Sequence, residues 1–331
     1  MKKSLVVPRA QHPVVALERA QRAAAAYARG SRSAATWRAY ESDWNIFASW
    51  CRSTGQPALP ATSNTVALFL AAEAQLGRAP TTLDRRLAAI RLMHVGAKLP
   101  SPHDAIEVAE VMRGIRRAWH KPPTKKAPAV DEQVQRLVDA VEPQTLKGLR
   151  DRALLLLGFA GAFRRSELVA LDVAHLTRVP DEGLSVLIPH SKADQEGEGQ
   201  VVAITQVEDS PYCPVQAVYD WLVAADISSG AVFLRMYRGD AVSTDRMTPQ
   251  SVALIIKDLA LKVGLDPARY AGHSLRSGFA TTAARNQANI FKLAAHTRHK
   301  KLDTLRVYVR DAELFENHAA EGMLHPNSRR R

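Results

Sequence analysis

Gly161-Ala162-Phe163-Arg164-Arg165-Ser166-Glu167-Leu168 follows the apolar run 154–159 and sets Arg164 and Glu167 three residues apart, on one face of a helix. A carboxylate so placed can hold a guanidinium in a fixed orientation. Further along, Gly272-His273-Ser274-Leu275-Arg276-Ser277-Gly278 sets His273 and Arg276 at the same spacing. Near the C-terminal end stands His296-Thr297-Arg298-His299-Lys300-Lys301-Leu302-Asp303-Thr304-Leu305-Arg306-Val307-Tyr308, in which His299 and Tyr308 lie nine residues apart. The two can reach one site if a turn separates two short helices. Singly, each piece is weak: an R-x-x-E pair is usually a surface ion pair, a lone histidine is more often structural, and a lone tyrosine is normally half-buried packing.

Together the residue types share a chemistry. Breaking a phosphodiester requires a nucleophile in line with the leaving oxygen, donors for the charge on the non-bridging oxygens, and an acid for the leaving group. Arginine suits the second task, because its planar fork donates two parallel hydrogen bonds and stays charged. Arg164 and Arg276, from distant segments, can therefore clamp one phosphate.

The order Arg164 with Glu167, then His273 with Arg276, then His299, then Tyr308 resembles the catalytic set of the tyrosine recombinase (lambda integrase) family. The intervals of 26 residues from His273 to His299 and 32 from Arg276 to Tyr308 are similar to those of its Cre-like members. The likeness extends to Thr36-Trp37 followed by Ser49-Trp50-Cys51, to Val111-Met112-Arg113-Gly114-Ile115-Arg116-Arg117 and to the two-domain layout, so it covers most of the chain. It implies that Tyr308 is the nucleophile, that Arg164, Arg276 and His299 stabilise the developing charge, that His273 assists proton transfer and that Glu167 positions its neighbours. It also implies a catalytic lysine in a hairpin between the first two elements, where Lys192 is the only lysine. The chain departs from the Cre-like pattern in having His299 in place of Trp, although His is the commoner choice elsewhere in the family. Arg165 falls outside the R-x-x-E register and is assigned to the flanking DNA backbone.

The resemblance further implies a 3′-phosphotyrosyl intermediate and strand exchange on double-stranded DNA at inverted-repeat sites, by a homo-oligomer that is a dimer on one site and a tetramer in synapsis. One phosphodiester replaces another and cations surround the phosphate, so no metal, nucleotide or other cofactor is expected. Two other readings stay open: a non-catalytic architectural DNA-binding protein of the same fold, and a type IB topoisomerase or hairpin telomere resolvase of the same chemistry.

Outward from these motifs, Lys121-Pro122-Pro123-Thr124-Lys125-Lys126-Ala127-Pro128 combines helix-stopping prolines with solvated charge and reads as a linker. It separates an N-terminal domain, 1–120, from a C-terminal domain, 129–331. Four N-terminal segments have helical apolar spacing, the clearest carrying Trp37, Tyr40, Trp44, Phe47 and Cys51, and the others running roughly 64–76, 81–95 and 104–119. The third carries Arg85, Arg86 and Arg91 and the fourth Arg113, Arg116 and Arg117, which suit either contacts to DNA phosphates or an ordinary solvated face. Between Gly183 and Gln206, Leu184, Val186 and Ile188, then Val201, Val202 and Ile204, predict a β-hairpin with a long tip. The expected fold is mainly α with one small hairpin or sheet, a helical bundle followed by a catalytic domain, the two closing on DNA as a C-shaped clamp. Leu314, Phe315, Ala319, Met323 and Leu324 mark an apolar face of a tail helix that docks either on its own domain or on a neighbouring subunit.

Composition agrees with this outline. Across 331 residues, 46% hydrophobic and 24% charged residues fit folded domains rather than disorder. The 45 Lys and Arg against 33 Asp and Glu leave a net charge of +12, which makes a polyanionic partner plausible without naming it. Cys51 and Cys213 stand far apart, which argues against a disulfide framework or a multi-cysteine zinc site and suits a reducing bacterial cytoplasm. Pro8 and Arg9 end the apolar stretch after Lys2 and Lys3 before a signal-peptide core forms.

Overall fold

The computed structural model describes residues 13–120, 126–189 and 199–299, together with residues 302, 303, 305, 306 and 308. The chain divides into two compact units, Met1–Pro123 and Thr124–Arg331, each with its own hydrophobic core.

The described part of the first unit is helical: α1 (Pro13–Gly30), α2 (Ala34–Ser53), α3 (Ser63–Gln75), α4 (Pro80–Gly96) and α5 (Ile106–Ala118). Ser33 caps α2 by accepting the Thr36 N–H, and Thr62 caps α3 by accepting that of Thr65, each stabilising its helix by about 1 kcal/mol. Phe47 and Cys51, four apart on α2, bury their side chains against Val66, Phe69 and Leu70 of α3, Leu83 and Ile90 of α4, and Val108 and Met112 of α5. The Phe47 and Phe69 rings meet edge to face at 5.0 Å. Truncating Phe47 to Ala would cost about 3–5 kcal/mol through lost contacts and the cavity left behind. Helix α1 was not signalled by periodicity. It is alanine-rich, which favours a helix by propensity, and largely exposed where its side chains are described.

The second unit contains α6 (Asp131–Asp139), α7 (Leu146–Ala160), α8 (Arg165–Ala170), α9 (Pro214–Ala224), α10 (Pro249–Lys262), α11 (Ser274–Arg285) and α12 (Ile290–Thr297). An antiparallel sheet in the order β1-β2-β3 joins β1 (Leu176–Val179), β2 (Gly183–Ile188) and β3 (Gln200–Thr205), and a separate pair joins β4 (Leu234–Met236) to β5 (Val242–Arg246). The expected hairpin is present as β2 and β3, with Leu184 opposite Ile204 and Val186 opposite Val202, all four buried. Strands β1, β4 and β5 were not signalled, because three to five residues of mixed burial hold too few alternations to read.

Helix α7 is the centre of this unit. Ala153, Leu154, Leu155, Leu156 and Leu157 are consecutive and all buried, which a helix tolerates only when neighbours surround it. Residues 126–128 of the expected linker are tied into this unit: Lys126 Nζ donates to the Ala268 carbonyl and the Ala127 N–H to that of Arg269. Next to them the Ala129 N–H donates to the Ser274 carbonyl on α11. Gly278 makes that approach possible, since a β-carbon there would run into the Ala129 backbone. Residues 121–125 and the apolar tail positions Leu314, Phe315, Ala319, Met323 and Leu324 lie outside the described residues. Among the described residues, no helix is long and apolar enough to cross a membrane.

Candidate active site

Three chain segments converge on the turn that leaves α7. In that turn Ala162 has a φ of 45°, uncommon for a residue with a β-carbon. Its carbonyl accepts from Nη1 of Arg276 at 2.7 Å and from Nη2 of Arg298 at 2.8 Å. Arg164 and Glu167 do meet, but not as two positions on one helical face. Arg164 is the N-cap of α8, and Glu167, the third residue of the helix, reaches back to it. The Arg164 N–H donates to Glu167 Oε2 at 2.9 Å and its Nη1 to Oε1 at 2.5 Å. A carboxylate there satisfies an otherwise orphaned helix amide and holds the guanidinium as well.

On the second segment, His273 caps α11 and Arg276 follows in its first turn. Arg276 is 1% exposed, and its Nη2 donates to the Thr297 carbonyl and faces His299 Nε2 at 3.5 Å. Burial, with Arg164 and Arg298 nearby, pushes its pKa down to about 9, which leaves it charged at neutral pH.

The third segment ends α12. Arg298 is its C-cap in the left-handed region, at φ 56° and ψ 45°, a conformation that costs a residue with a β-carbon about 1–2 kcal/mol. His299 follows, with Nδ1 2.7 Å from Thr297 Oγ1. The Thr297 hydroxyl gives its single proton to the Leu293 carbonyl at 2.6 Å, so Nδ1 carries the ring proton and Nε2 keeps its lone pair toward Arg276. Burial first, then Arg276, Arg164, His273 and Arg298, lower the His299 pKa to about 4. His273 is lowered too, by the protein mass around it and then by Arg276 and Arg164, although the residue is exposed at the mouth of the site. Tyr308, helical and half-buried, places its ring 6.4 Å from that of His299.

Glu167 is the one carboxylate in contact with this group among the described residues. Burial raises its pKa, but Arg298 and the hydrogen bonds and charge of Arg164 outweigh burial and hold it below the ordinary range. Three guanidiniums against one carboxylate, with both imidazoles neutral, leave an excess of positive charge. An anion such as a phosphate would balance it.

Arg164, Arg165, Ser166 and His273, with Ala271 and Gly272, line a cleft of about 350 Å³. A β-carbon at Gly272 would crowd the Arg165 side chain. The structure thus groups Arg276, His299 and Tyr308, joins Arg164 to Glu167, and sets Arg164, Arg165 and His273 around one opening. Lys192, between β2 and β3, lies outside the described residues. The sequence gives Arg298 no visible role, because nothing in its neighbours signals that its guanidinium is buried.

The arginines of α4 and α5 divide differently from the expectation. Arg86 is withdrawn from the surface: it is 5% exposed and paired with Glu73 and Asp43 inside the bundle. It is one turn from Leu83 and Ile90 on the core-facing side, and this corrects its assignment as a phosphate contact. Arg85 binds Asp43 through Nε and Nη2 while half its side chain is exposed. Arg113 pairs with Glu110 and Arg116 with Asp84, both on the surface, and Arg91 and Arg117 are exposed. Surface pairs of this kind hold by about 0–1 kcal/mol.

Residues 130–314, more than half of the chain, match the phage integrase family. The chain belongs to that family, the tyrosine recombinases of the lambda integrase type. It is 36% identical over 291 residues to an integrase/recombinase XerD homolog of Selenomonas ruminantium, covering 87% of this chain and 85% of that protein. To the tyrosine recombinase XerD of Listeria monocytogenes it is 24% identical over 294 residues, covering 84% and 89%. The Tn1549 transposon integrase, solved in complex with transposon right end DNA, shares the fold with a TM-score of 0.57 at 15% identity, over 88% of this chain and 96% of that one. A lambda integrase dimer bound to a COC′ core site gives a TM-score of 0.56 at 14% identity, over 93% and 83%.

Proposed function

We propose that this chain is a site-specific DNA recombinase that cleaves one strand through Tyr308 and rejoins it to a partner strand. The observation that carries this reading is the convergence of Arg276, His299 and Tyr308 beside the Arg164–Glu167 pair, three distant segments supplying a cationic cradle and a hydroxyl. The Tyr308 oxygen attacks the scissile phosphorus, the bond from phosphorus to the 5′ oxygen breaks, and a 3′-phosphotyrosyl linkage forms. Tyrosine ordinarily loses its proton near pH 10, so it needs an acceptor as it attacks. His273, held neutral, suits that task. Arg164 and Arg276 take up the charge on the non-bridging oxygens, His299 joins them as a donor once the bound phosphate anion draws a proton onto its Nε2, and Lys192 returns a proton to the departing 5′ oxygen. A 5′ hydroxyl of the partner strand then attacks the phosphotyrosine and frees Tyr308. Each linkage is traded for another of the same kind, so neither nucleotide nor metal is needed.

The DNA-bound relatives support duplex DNA as the partner. The two units act as a clamp on each half of an inverted repeat, with a dimer per site and a tetramer in the exchanging synapse, and Arg85, Arg91, Arg113, Arg116, Arg117 and Arg165 meet the backbone. The test uses a nicked duplex built on the sequence that the full-length protein itself selects from random DNA. A recombinase accumulates an SDS-resistant protein–DNA adduct in EDTA. Binding without an adduct would assign the chain to architectural proteins of this fold, and strict dependence on Mg²⁺ would overturn the mechanism.

A further inference from the structure

Arg298 is the most deeply committed cation of the site. Its side chain is 2% exposed. Nη1 donates to the carbonyls of Gly161 at 3.0 Å and His296 at 2.8 Å, and Nη2 to the Ala162 carbonyl at 2.8 Å and Glu167 Oε2 at 3.1 Å. The guanidinium also lies over the Phe163 ring, 5.2 Å from its centroid. A left-handed backbone favours glycine, and a buried charge is costly to desolvate. A long cation under both burdens is retained where the surroundings depend on it. Two of its partners are shared: Glu167 also holds Arg164, and the Ala162 carbonyl also holds Arg276.

We propose that Arg298 is a positioning residue that keeps the Glu167 carboxylate ionised and aimed at Arg164, and pins the Ala162 carbonyl that orients Arg276, without touching the phosphate. This rests on the recombinase reading above. The charged groups that face Glu167 are Arg164 and Arg298 in contact and Arg276 within range of its charge. His273, His296, His299 and Tyr308 are the other titratable groups around Arg276. Without Arg298, a buried carboxylate keeps one contacting guanidinium, burial gains the upper hand, and the carboxyl takes up a proton at higher pH. A protonated Glu167 holds Arg164 less firmly.

The experiment is single-turnover adduct formation by the full-length protein on the nicked duplex described above, from pH 5.5 to 8.5, for wild type, R298M, R298K, E167Q and R298M/E167Q. R298M is expected to react about tenfold or more slowly at pH 7.5, since small misplacements of a clamp cost rate steeply, with DNA affinity within about twofold of wild type. Its rate should fall toward acid along a limb additional to the one that protonation of His273 gives wild type. E167Q should abolish that limb, and the double variant should be no slower than the slower single variant. R298K keeps the charge and should lack the limb, yet react several-fold more slowly, because one ammonium cannot span the same four oxygens. R298M at the wild-type rate, or a defect equal at every pH and multiplicative with E167Q, would overturn the proposal. Should R298M not fold, R298K decides: a slower rate at unchanged affinity supports it, and the wild-type rate overturns it. Wild type that forms no adduct sinks the recombinase reading itself, which separates that failure from this one.

Discussion

Nη2 of Arg276 and Nε2 of His299 stand 3.5 Å apart, a guanidinium facing the lone pair of a neutral imidazole. The arrangement carries a pH signature. In the unfolded chain His299 titrates near 6.5, and in the folded protein at about 4. Between those values the unfolded chain binds the additional proton, so stability rises with pH there. The contribution is fully present above about 6.5 and is lost as pH falls toward 4. Thermal melts at pH 7.5 and 5.5 are therefore expected to show a larger loss for wild type than for His299→Gln. Equal losses would mean that His299 is not held neutral.

Tyr308→Phe removes one oxygen from a half-buried ring and should leave folding and DNA affinity intact while the adduct disappears. The nearest competing tyrosine, Tyr270, is 7% exposed within the core of the second unit, so Tyr270→Phe should still form the adduct. Peptide mapping of the wild-type adduct distinguishes the two. A labelled Tyr270, or any adduct from Tyr308→Phe, removes Tyr308 as nucleophile.

Lys192→Ala should slow cleavage without weakening binding, because a proton given to the leaving oxygen matters in the transition state and little before it. A duplex with a 5′-bridging phosphorothiolate supplies a leaving group that needs no such proton, and it should restore most of the lost rate. An equal defect on both substrates would exclude Lys192 as the general acid.

Arg86 and Arg117 should behave oppositely. Arg86→Met leaves the buried Glu73 without its closest cation, and should lower the stability of the first unit by about 3 kcal/mol, read from denaturant melts. Arg117→Ala should leave stability unchanged but flatten the plot of log affinity against log salt by about one unit of slope, one phosphate contact fewer. A flattened slope from Arg86→Met without loss of stability would restore Arg86 to the DNA surface.

The family was legible in the sequence, because its signature is an order of rare residue types along the chain and order survives without a fold. The β2–β3 hairpin was legible because Leu184, Val186, Val202 and Ile204 alternate as a half-buried strand pair must. Helices α2 to α5 were legible from apolar spacing near a period of 3.6, whereas α1 is built largely of alanine, which marks neither a core face nor a solvent face clearly.

Only the tertiary structure decided which charged side chains face inward. Arg85 and Arg86 are neighbours of identical type, yet one is half exposed and the other buried. Both reach Asp43 on α2, but only Arg86 turns inward to pair with Glu73 on α3. Arg298 meets Glu167 across 131 residues, and the proton on His299 is placed by a threonine hydroxyl committed to a carbonyl one turn back. Periodicity records how a residue sits on its own helix or strand. Burial, ion pairing and protonation depend on what the rest of the chain brings against it, and those partners are brought together only by folding.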